Sequence, residues 1–372
     1  MTAYKTIKGF TVQSLATDPL TAGIAGATWS SGGALNTARE GTAGVGTQTA
    51  ALNSTGYAST GIVGVNESYD GSSWTELGDV NTARSFGSAS GTQSASLYAT
   101  GATAGSNAAS ITNVETWDGS SWTEVAEVNT AKYYSGTTGN APATSNINFG
   151  GQGVPGTGIV NTELWNGSAW TEVADLNLGR RTRGIGDSST AALCVGGSVP
   201  PSITANTELW NGSSWTEVNN LNTARGYFGC GGTSTSGLIF GGAPPDTLAV
   251  TEEYNGTSWT EVADLATGRN TLGGTGSSSL ALAIGGSPYS SAVEEFTAAQ
   301  ITDTIKNEGQ VYYNTTSNTL KLTKLVLGTG AWSSGGNLNV AKRSGSLGAD
   351  TNSAATYAGG TNPSGTLATT EL

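Results

Sequence analysis

Six tryptophans recur along this chain at intervals of 44 to 48 residues: Trp29, Trp74, Trp122, Trp170, Trp215 and Trp259. Each is followed ten positions later by a basic residue, so the partners are Arg39, Arg84, Lys132, Arg180, Arg225 and Arg269. A near-repeat joins them, seen best in Glu208-Leu209-Trp210-Asn211-Gly212-Ser213-Ser214-Trp215-Thr216-Glu217-Val218 and then Leu221-Asn222-Thr223-Ala224-Arg225. Self-similarity at this period means one supersecondary unit copied along or around an axis, because a single copy cannot bury its apolar face alone. Length would allow two ordinary domains in 372 residues, but six copies point to one large domain.

Each copy reads as four short strands. After the basic residue comes a stretch of small residues, such as Gly231-Gly232-Thr233, and then an apolar run ending in glycines: Ala192 to Gly197, Leu238 to Gly242, Leu282 to Gly286. Such a run bounded by glycine is the signature of a buried strand. A loop of variable length follows, and the chain re-enters through Thr-Glu-Leu-Trp into Asp70-Gly71, Asp118-Gly119, Asn166-Gly167, Asn211-Gly212 or Asn255-Gly256. Asn-Gly and Asp-Gly supply the positive φ of a tight turn, so the third and fourth strands pair here and the repeat tryptophan opens the fourth.

Gly-Gly, an aromatic before a turn, Trp, and a basic residue after a short loop together resemble the kelch repeat over residues 27 to 296. The resemblance implies a β-propeller with one four-stranded blade per repeat. Gly61 and Gly101 stand alone where a Gly-Gly pair is expected, so the first two blades are expected to bend differently there. The copy ending in Glu294-Glu295-Phe296 has no Asn-Gly turn and no following Trp, while Trp29 to Leu35 is a fourth strand with no preceding three. The fragments complement each other. The expected fold is all-β: a six-bladed kelch-type propeller closed by the N-terminal outer strand.

Outside the ring, residues 1 to 26 read as an attachment segment and 297 to 328 as a β-hairpin linker, its strands lying within Gly309 to Thr323. Ala331 to Gly336 restates Thr28 to Gly33, with Lys342 ten after Trp332, so 329 to 372 reads as the first blade of a second, incomplete propeller whose chain continues beyond Leu372. The Gly309 to Asn318 stretch and the opening Tyr4 to Phe10 resemble elements of structural and tail-fibre proteins of marine tailed bacteriophages, which carry kelch-like arrays. That resemblance implies a virion protein.

Composition excludes several functions. The formal charge is −12 with only 15 Lys and Arg, so no basic stripe is available for nucleic acid. No apolar run approaches the roughly 20 residues that span a bilayer, so no membrane insertion is expected, and Met1 to Pro19 lacks the apolar centre of a secretory signal. The chain has no histidine, which removes His-dependent nucleophilic systems, His-ligated metals and the usual neutral-pH proton shuttle. Cys194 and Cys230 read as two buried thiols rather than a disulfide. Acidic clusters at cation-binding spacing are missing, and no metal or cofactor is expected.

A feature needed once for function need not occur six times, so the Trp and basic series reads as bracing. Arg39, Arg84 and Arg269, with the rest of the basic series, are expected to hydrogen-bond loop carbonyls or a repeat glutamate. The same structural reading covers Glu76, Glu124, Glu172, Glu217 and Glu261. Residues particular to one blade are more informative. On the face carrying the loops after strand four lie Phe86, Lys132 with Tyr133 and Tyr134, Arg180 with Arg181 and Arg183, and Arg225 with Tyr227 and Phe228. Aromatic faces flanked by hydroxyls and guanidinium groups can bind sugar rings. The loops containing Pro200, Pro201, Pro244 and Pro245, with Gly151 to Gly158, vary most between copies and are further candidates for recognition. The expected function is non-enzymatic: a tail-fibre or appendage component recognising a host-surface glycan or protein, with other virion proteins bound through the N-terminal segment. A structural neck, collar or head-decoration role is the alternative, and oligomeric state is open.

Overall fold

The computed structural model describes residues 26–299 apart from 105–109, 154–155 and 244–246, and outside that span it describes short stretches of strand backbone. Within 26–299 the alternation of apolar runs and glycine-centred turns produces six four-stranded antiparallel sheets. The first blade runs outward through Ala43–Thr47, Ala50–Ala58, Gly61–Tyr69 and Trp74–Leu77. The next four follow the same order, and their innermost strands are Ser88–Thr92, Gly136–Thr137, Arg181–Ser188 and Gly229–Thr233. The sixth contains Gly273–Gly276, Leu280–Ile284 and Val293–Thr297, and its outermost strand is Thr28–Ser31, with Phe296 opposite Trp29. Each innermost strand touches its neighbours, and Gly273–Gly276 meets Ala43–Thr47, so the blades form a ring: the domain is a six-bladed β-propeller.

The core lies between blades rather than within them. Among the described residues six apolar clusters occur, one at each seam, and each joins residues from two neighbouring repeats. At the seam of blades 6 and 1, for example, Leu282, Ile284 and Val293 pack with Leu35, Ala51, Tyr69 and Trp74. Burying one such side chain contributes about 1.5–3 kcal/mol, so a blade lacking a neighbour loses half of its core. The repeat tryptophans tie the seams. Each packs against the aromatic opposite it on the third strand of its blade, with ring centroids 4.9 to 5.4 Å apart. Trp74 and Trp170 also donate to the carbonyls of Gly33 and Ala126 in the preceding blade, at 2.9 and 3.0 Å.

Bracing is the role of the whole basic series. Arg39, Arg84, Lys132, Arg180, Arg225 and Arg269 each pair with a glutamate on the third strand of the next blade along the chain: Glu67, Glu115, Glu163, Glu208, Glu252 and Glu294. The same carboxylate accepts from the backbone of the loop, as where Asn177 N lies 2.8 Å from Glu208 Oε2. Glu76, Glu124, Glu172, Glu217 and Glu261 are instead exposed on the outermost strands. They sit directly opposite the buried glutamates in the register, as Glu76 does opposite Glu67. Like charges placed so are destabilising, and the inward guanidinium offsets the pairing on its buried side.

The expectation that blades 1 and 2 bend differently at Gly61 and Gly101 is corrected. The position is occupied by Thr55-Gly56 and Thr100-Gly101, whose φ values of 61° and 134°, and 63° and 119°, match the left-handed pairs at Gly150-Gly151, Gly196-Gly197, Gly241-Gly242 and Gly285-Gly286. Threonine replaces the first glycine without changing the bend, held by Thr55 Oγ1 to Tyr98 Oη at 2.5 Å and Thr100 Oγ1 to Ser135 Oγ at 2.9 Å. Gly61 lies elsewhere, where the second strand turns into the third.

A second unit comprises residues 1–26 and 299–372. In it Lys5–Ile7 and Phe10–Leu15 join Val311–Asn314 and Thr319–Leu322 in one sheet, with Phe10–Leu15 parallel to Val311–Asn314. Ser346–Thr351, Ala354–Ala358 and Thr370–Glu371 form another. Trp332 and Lys342, on which the second-propeller expectation rests, lie outside the described residues.

Candidate functional site: the axial loop cluster

The loop after each outermost strand runs over the neighbouring blade, is pinned there by its brace, and turns inward to the propeller axis. Two residues past the basic position the backbone is left-handed at Gly41 (φ 62°), Phe86 (60°), Tyr134 (54°), Tyr227 (61°) and Thr271 (50°). Backbone hydrogen bonds link these residues around the axis: Thr271 N to Tyr227 O at 2.6 Å, Gly41 N to Thr271 O at 2.7 Å, Phe86 N to Gly41 O at 2.8 Å, Tyr134 N to Phe86 O at 2.7 Å and Thr182 N to Tyr134 O at 2.9 Å. Blade 4 is one residue shorter. Arg183 pairs with Val195 at the place where Gly229 pairs with Phe240, three residues after Arg180 where Gly229 is four after Arg225. The lost residue puts Arg183 at the place on the innermost strand where the other blades carry Ala43, Ser88, Gly136, Gly229 and Gly273, and Arg181 stands one past the basic position, where the others carry Glu40, Ser85, Tyr133, Gly226 and Asn270. A bulky aromatic at positive φ is strained by about 1–3 kcal/mol, and three of them meet here.

Their rings pack together. Phe86 stacks on Tyr134 at 4.4 Å, and Tyr227 meets Tyr134 edge-on at 5.2 Å. The Arg181 guanidinium lies 5.6 Å from the Tyr134 ring centre and 5.7 Å from that of Tyr133, and donates to Tyr227 Oη at 2.7 Å and to Gln152 Oε1. Burial pushes the Tyr134 hydroxyl well above the usual phenol range, so it stays a neutral donor. Phe86, Tyr134, Tyr227, Arg181 and Arg183 are each half-buried, and so is Glu40, whose Oε2 lies 3.4 Å from Thr271 Oγ1. The cluster is a neutral-to-cationic aromatic platform at the centre of one face, with one carboxylate beside it.

Below it the axial channel holds a cavity of about 30 Å³ whose lining includes Ser88, Ser135, Thr137, Asn140, Arg183 and Thr275. That is room for about two water-sized bodies and too little for a sugar ring.

Not every candidate reaches this face. Lys132, Arg180 and Arg225 are fully buried in braces, which corrects the expectation that they line a binding surface: a side chain with no exposed surface offers no donor to a ligand on the face. Phe228 is core at the seam of blades 4 and 5. Pro200 and Pro201 are exposed in the loop between Ala191–Val199 and Ser202–Trp210, joined by a cis peptide bond. Pro244 and Pro245 lie outside the described residues.

Sequence reasoning missed Glu40, Gln152 and Thr271 of this cluster, and also Tyr57 and Tyr289. The last two stack at 6.0 Å at the seam of blades 1 and 6, with Tyr289 at φ 43° and 39% exposed. The one available signal was Ser287-Pro288-Tyr289, which departs from the repeat. Cys194 and Cys230 are free thiols, the first buried and the second half-buried against the expectation of two buried thiols, and desolvation pushes both up to about 11, which makes them poor nucleophiles at neutral pH. No group of three or more Asp, Glu or Cys that could hold a metal occurs among the described residues. No protein-family model and no curated protein matches this chain, so what identifies it is its geometry: a six-bladed propeller with an aromatic and guanidinium cluster on its axis.

Proposed function

We propose that this chain is a non-enzymatic bacteriophage virion protein, a tail-fibre or appendage component whose axial platform recognises a host-surface glycan. The observation that carries the reading is the convergence of Phe86, Tyr134 and Tyr227, from three separate loops, with Arg181 at the centre of one face on strained backbone. Structural repeats explain none of these side chains, since the equivalent positions are Gly41, Thr182 and Thr271 in the other blades. Rings that offer apolar CH surface beside fixed donors suit a saccharide. The virion setting rests on the resemblance of Tyr4 to Phe10 and Gly309 to Asn318 to phage structural proteins. Within this proposal the propeller is of kelch type, Thr28–Ser31 serves as the closing strand that locks the ring, and residues 329–372 open a second propeller.

A structural role in a neck, collar or head decoration is the second reading. It is favoured by the separate β-unit that joins Phe10–Leu15 to Val311–Asn314, a ready contact for other virion subunits. Immunogold labelling of purified particles with an antibody to residues 27 to 296 decides between them. Label at the distal tail, with adsorption lost in Tyr227→Ala phage that assemble normally, is the expected result. Label at the head or neck moves the case to the structural role, and absence of label removes the virion assignment.

A further inference from the structure

Arg183 crosses the axial channel. Its Nη2 donates to Thr42 O at 3.3 Å, and Thr42 immediately precedes the innermost strand of blade 1, on the opposite side of the ring from blade 4. A second strut crosses lower down, where Asn140 on the loop between the first two strands of blade 3 donates through Nδ2 to Gly276 O at 3.0 Å and Gly232 O at 3.3 Å. The cavity of about 30 Å³ lies between the two struts. Its lining carries hydroxyls from Ser88, Ser135, Thr137 and Thr275, and no aspartate or glutamate.

The electrostatics there are one-sided. Among the described residues every ion pair within 4.0 Å belongs to the six braces, so neither Arg181 nor Arg183 has a carboxylate at that distance. The positive charge is local, because the chain as a whole carries −12. The Arg183 guanidinium is half-buried and donates to the Thr42 carbonyl, which leaves further N–H donors open to an anion in the cavity that it lines. Glycine at Gly44, Gly184, Gly231 and Gly274 brings bare backbone to the channel wall and lets adjacent innermost strands pack closely, an added Cβ meeting the neighbouring blade at 2.3 to 3.0 Å. The volume suits a monatomic ion with an accompanying water and excludes a nucleotide or sugar.

We propose that the axial cavity binds one small monovalent anion of the halide class on Arg183, with a hydroxyl of the Ser88 and Ser135 pair turned to donate, while Thr137 and Thr275 keep their protons on Asn146 Oδ1 and Gly46 O. The anion is a structural ligand: it neutralises the charge beneath the aromatic platform and couples blades 4 and 1 through Arg183, so ring stability depends on halide concentration.

The test uses the full chain. Crystals grown with sodium bromide and measured at the bromine edge are expected to show one anomalous peak in the axial cavity within about 3.5 Å of the Arg183 guanidinium. In solution, replacing chloride by gluconate at constant ionic strength is expected to lower the melting temperature of the parent and leave that of Arg183→Ser unchanged, serine being the residue blade 2 carries at this place (Ser88). At halide one hundred times its Kd the folded-to-unfolded ratio rises about a hundredfold. A cavity peak without anomalous signal means water alone and overturns the proposal, as does occupancy appearing only at molar bromide. An equal chloride effect in Arg183→Ser reports general salting and also overturns it. Should Arg183→Ser not fold, the bromide diffraction on the parent decides.

Discussion

Arg180→Met isolates the worth of a brace. The guanidinium donates to Glu208 Oε1 at 2.6 Å and to the carbonyls of Gly196, Leu178, Cys194 and Asn206 at 2.8, 3.1, 3.2 and 3.4 Å. Its side chain is 0% exposed and that of Glu208 2%. Methionine fills much of the volume but leaves Glu208 buried, with only Asn177 N and Nδ2, both at 2.8 Å, to hold its charge. Stranding one member of a buried pair costs about 3–5 kcal/mol. At roughly 2–4 °C per kcal/mol for a domain of this size, the melting temperature falls by about 6–20 °C. Tryptophan fluorescence followed through urea and thermal unfolding measures this directly, since the repeat tryptophans sit at the seams. Arg180→Met with Glu208→Gln is expected to lose at least 1 kcal/mol less than the sum of the single changes, because the stranded charge is gone. Arg180→Lys copies blade 3, where Lys132 Nζ reaches Glu163 at 3.3 Å, and is expected to fall between parent and Arg180→Met. The reasoning fails if Arg180→Met costs under 1 kcal/mol or if the double change is simply additive.

At Gly197, whose φ is 115°, an added Cβ meets Arg181 O at 2.2 Å, so Gly197→Ala is expected to lower stability by about 1–3 kcal/mol in a urea titration; an unchanged midpoint contradicts the left-handed bend. Trp29→Ala removes a ring 5.0 Å from Phe240 and 5.1 Å from Phe296 and an N–H bond to Ala263 O at 2.9 Å. It is expected to cost about 3 kcal/mol and to release the 28–31 strand first, read as early hydrogen exchange there. The Asp70 carboxylate accepts from Ser72 and Ser73 and is held down at about 2. Because the folded pKa lies below the unfolded one, the turn's contribution is complete above about pH 4 and is lost as pH falls through 2; a carboxyl NMR midpoint near 4 refutes it. Cys194, fully buried and raised to about 11, is expected to resist a disulfide reagent at pH 8 until the propeller unfolds, and reaction of both thiols in the native protein contradicts its burial.

Much of this arrangement is legible in the residues. Asn-Gly and Asp-Gly place the outer turns because glycine alone accepts their positive φ freely, and the repeat interval sets the blades. The Glu67 series and the Glu76 series could not be told apart in sequence. They alternate identically and face each other across the register, and only distance from the axis separates a strand covered by its neighbour's loop from one at the rim. The same limit explains Lys132, Arg180 and Arg225, whose side chains turn into braces while Arg181, one position on, turns to the platform.

The sequence by itself determined an all-β ring of six blades, because strand period, turn chemistry and the interval between tryptophans are local properties carried by each repeat. Tertiary structure alone decided which glutamate each basic residue meets, that Thr55 and Thr100 adopt the bend of glycine, that the shortened register of blade 4 puts Arg183 on the axial channel, and that Arg181 meets Tyr134 and Tyr227 from other loops. These depend on the radial position of residues far apart in the chain, and hydrophobic pattern and propensity encode faces and turns but not radius.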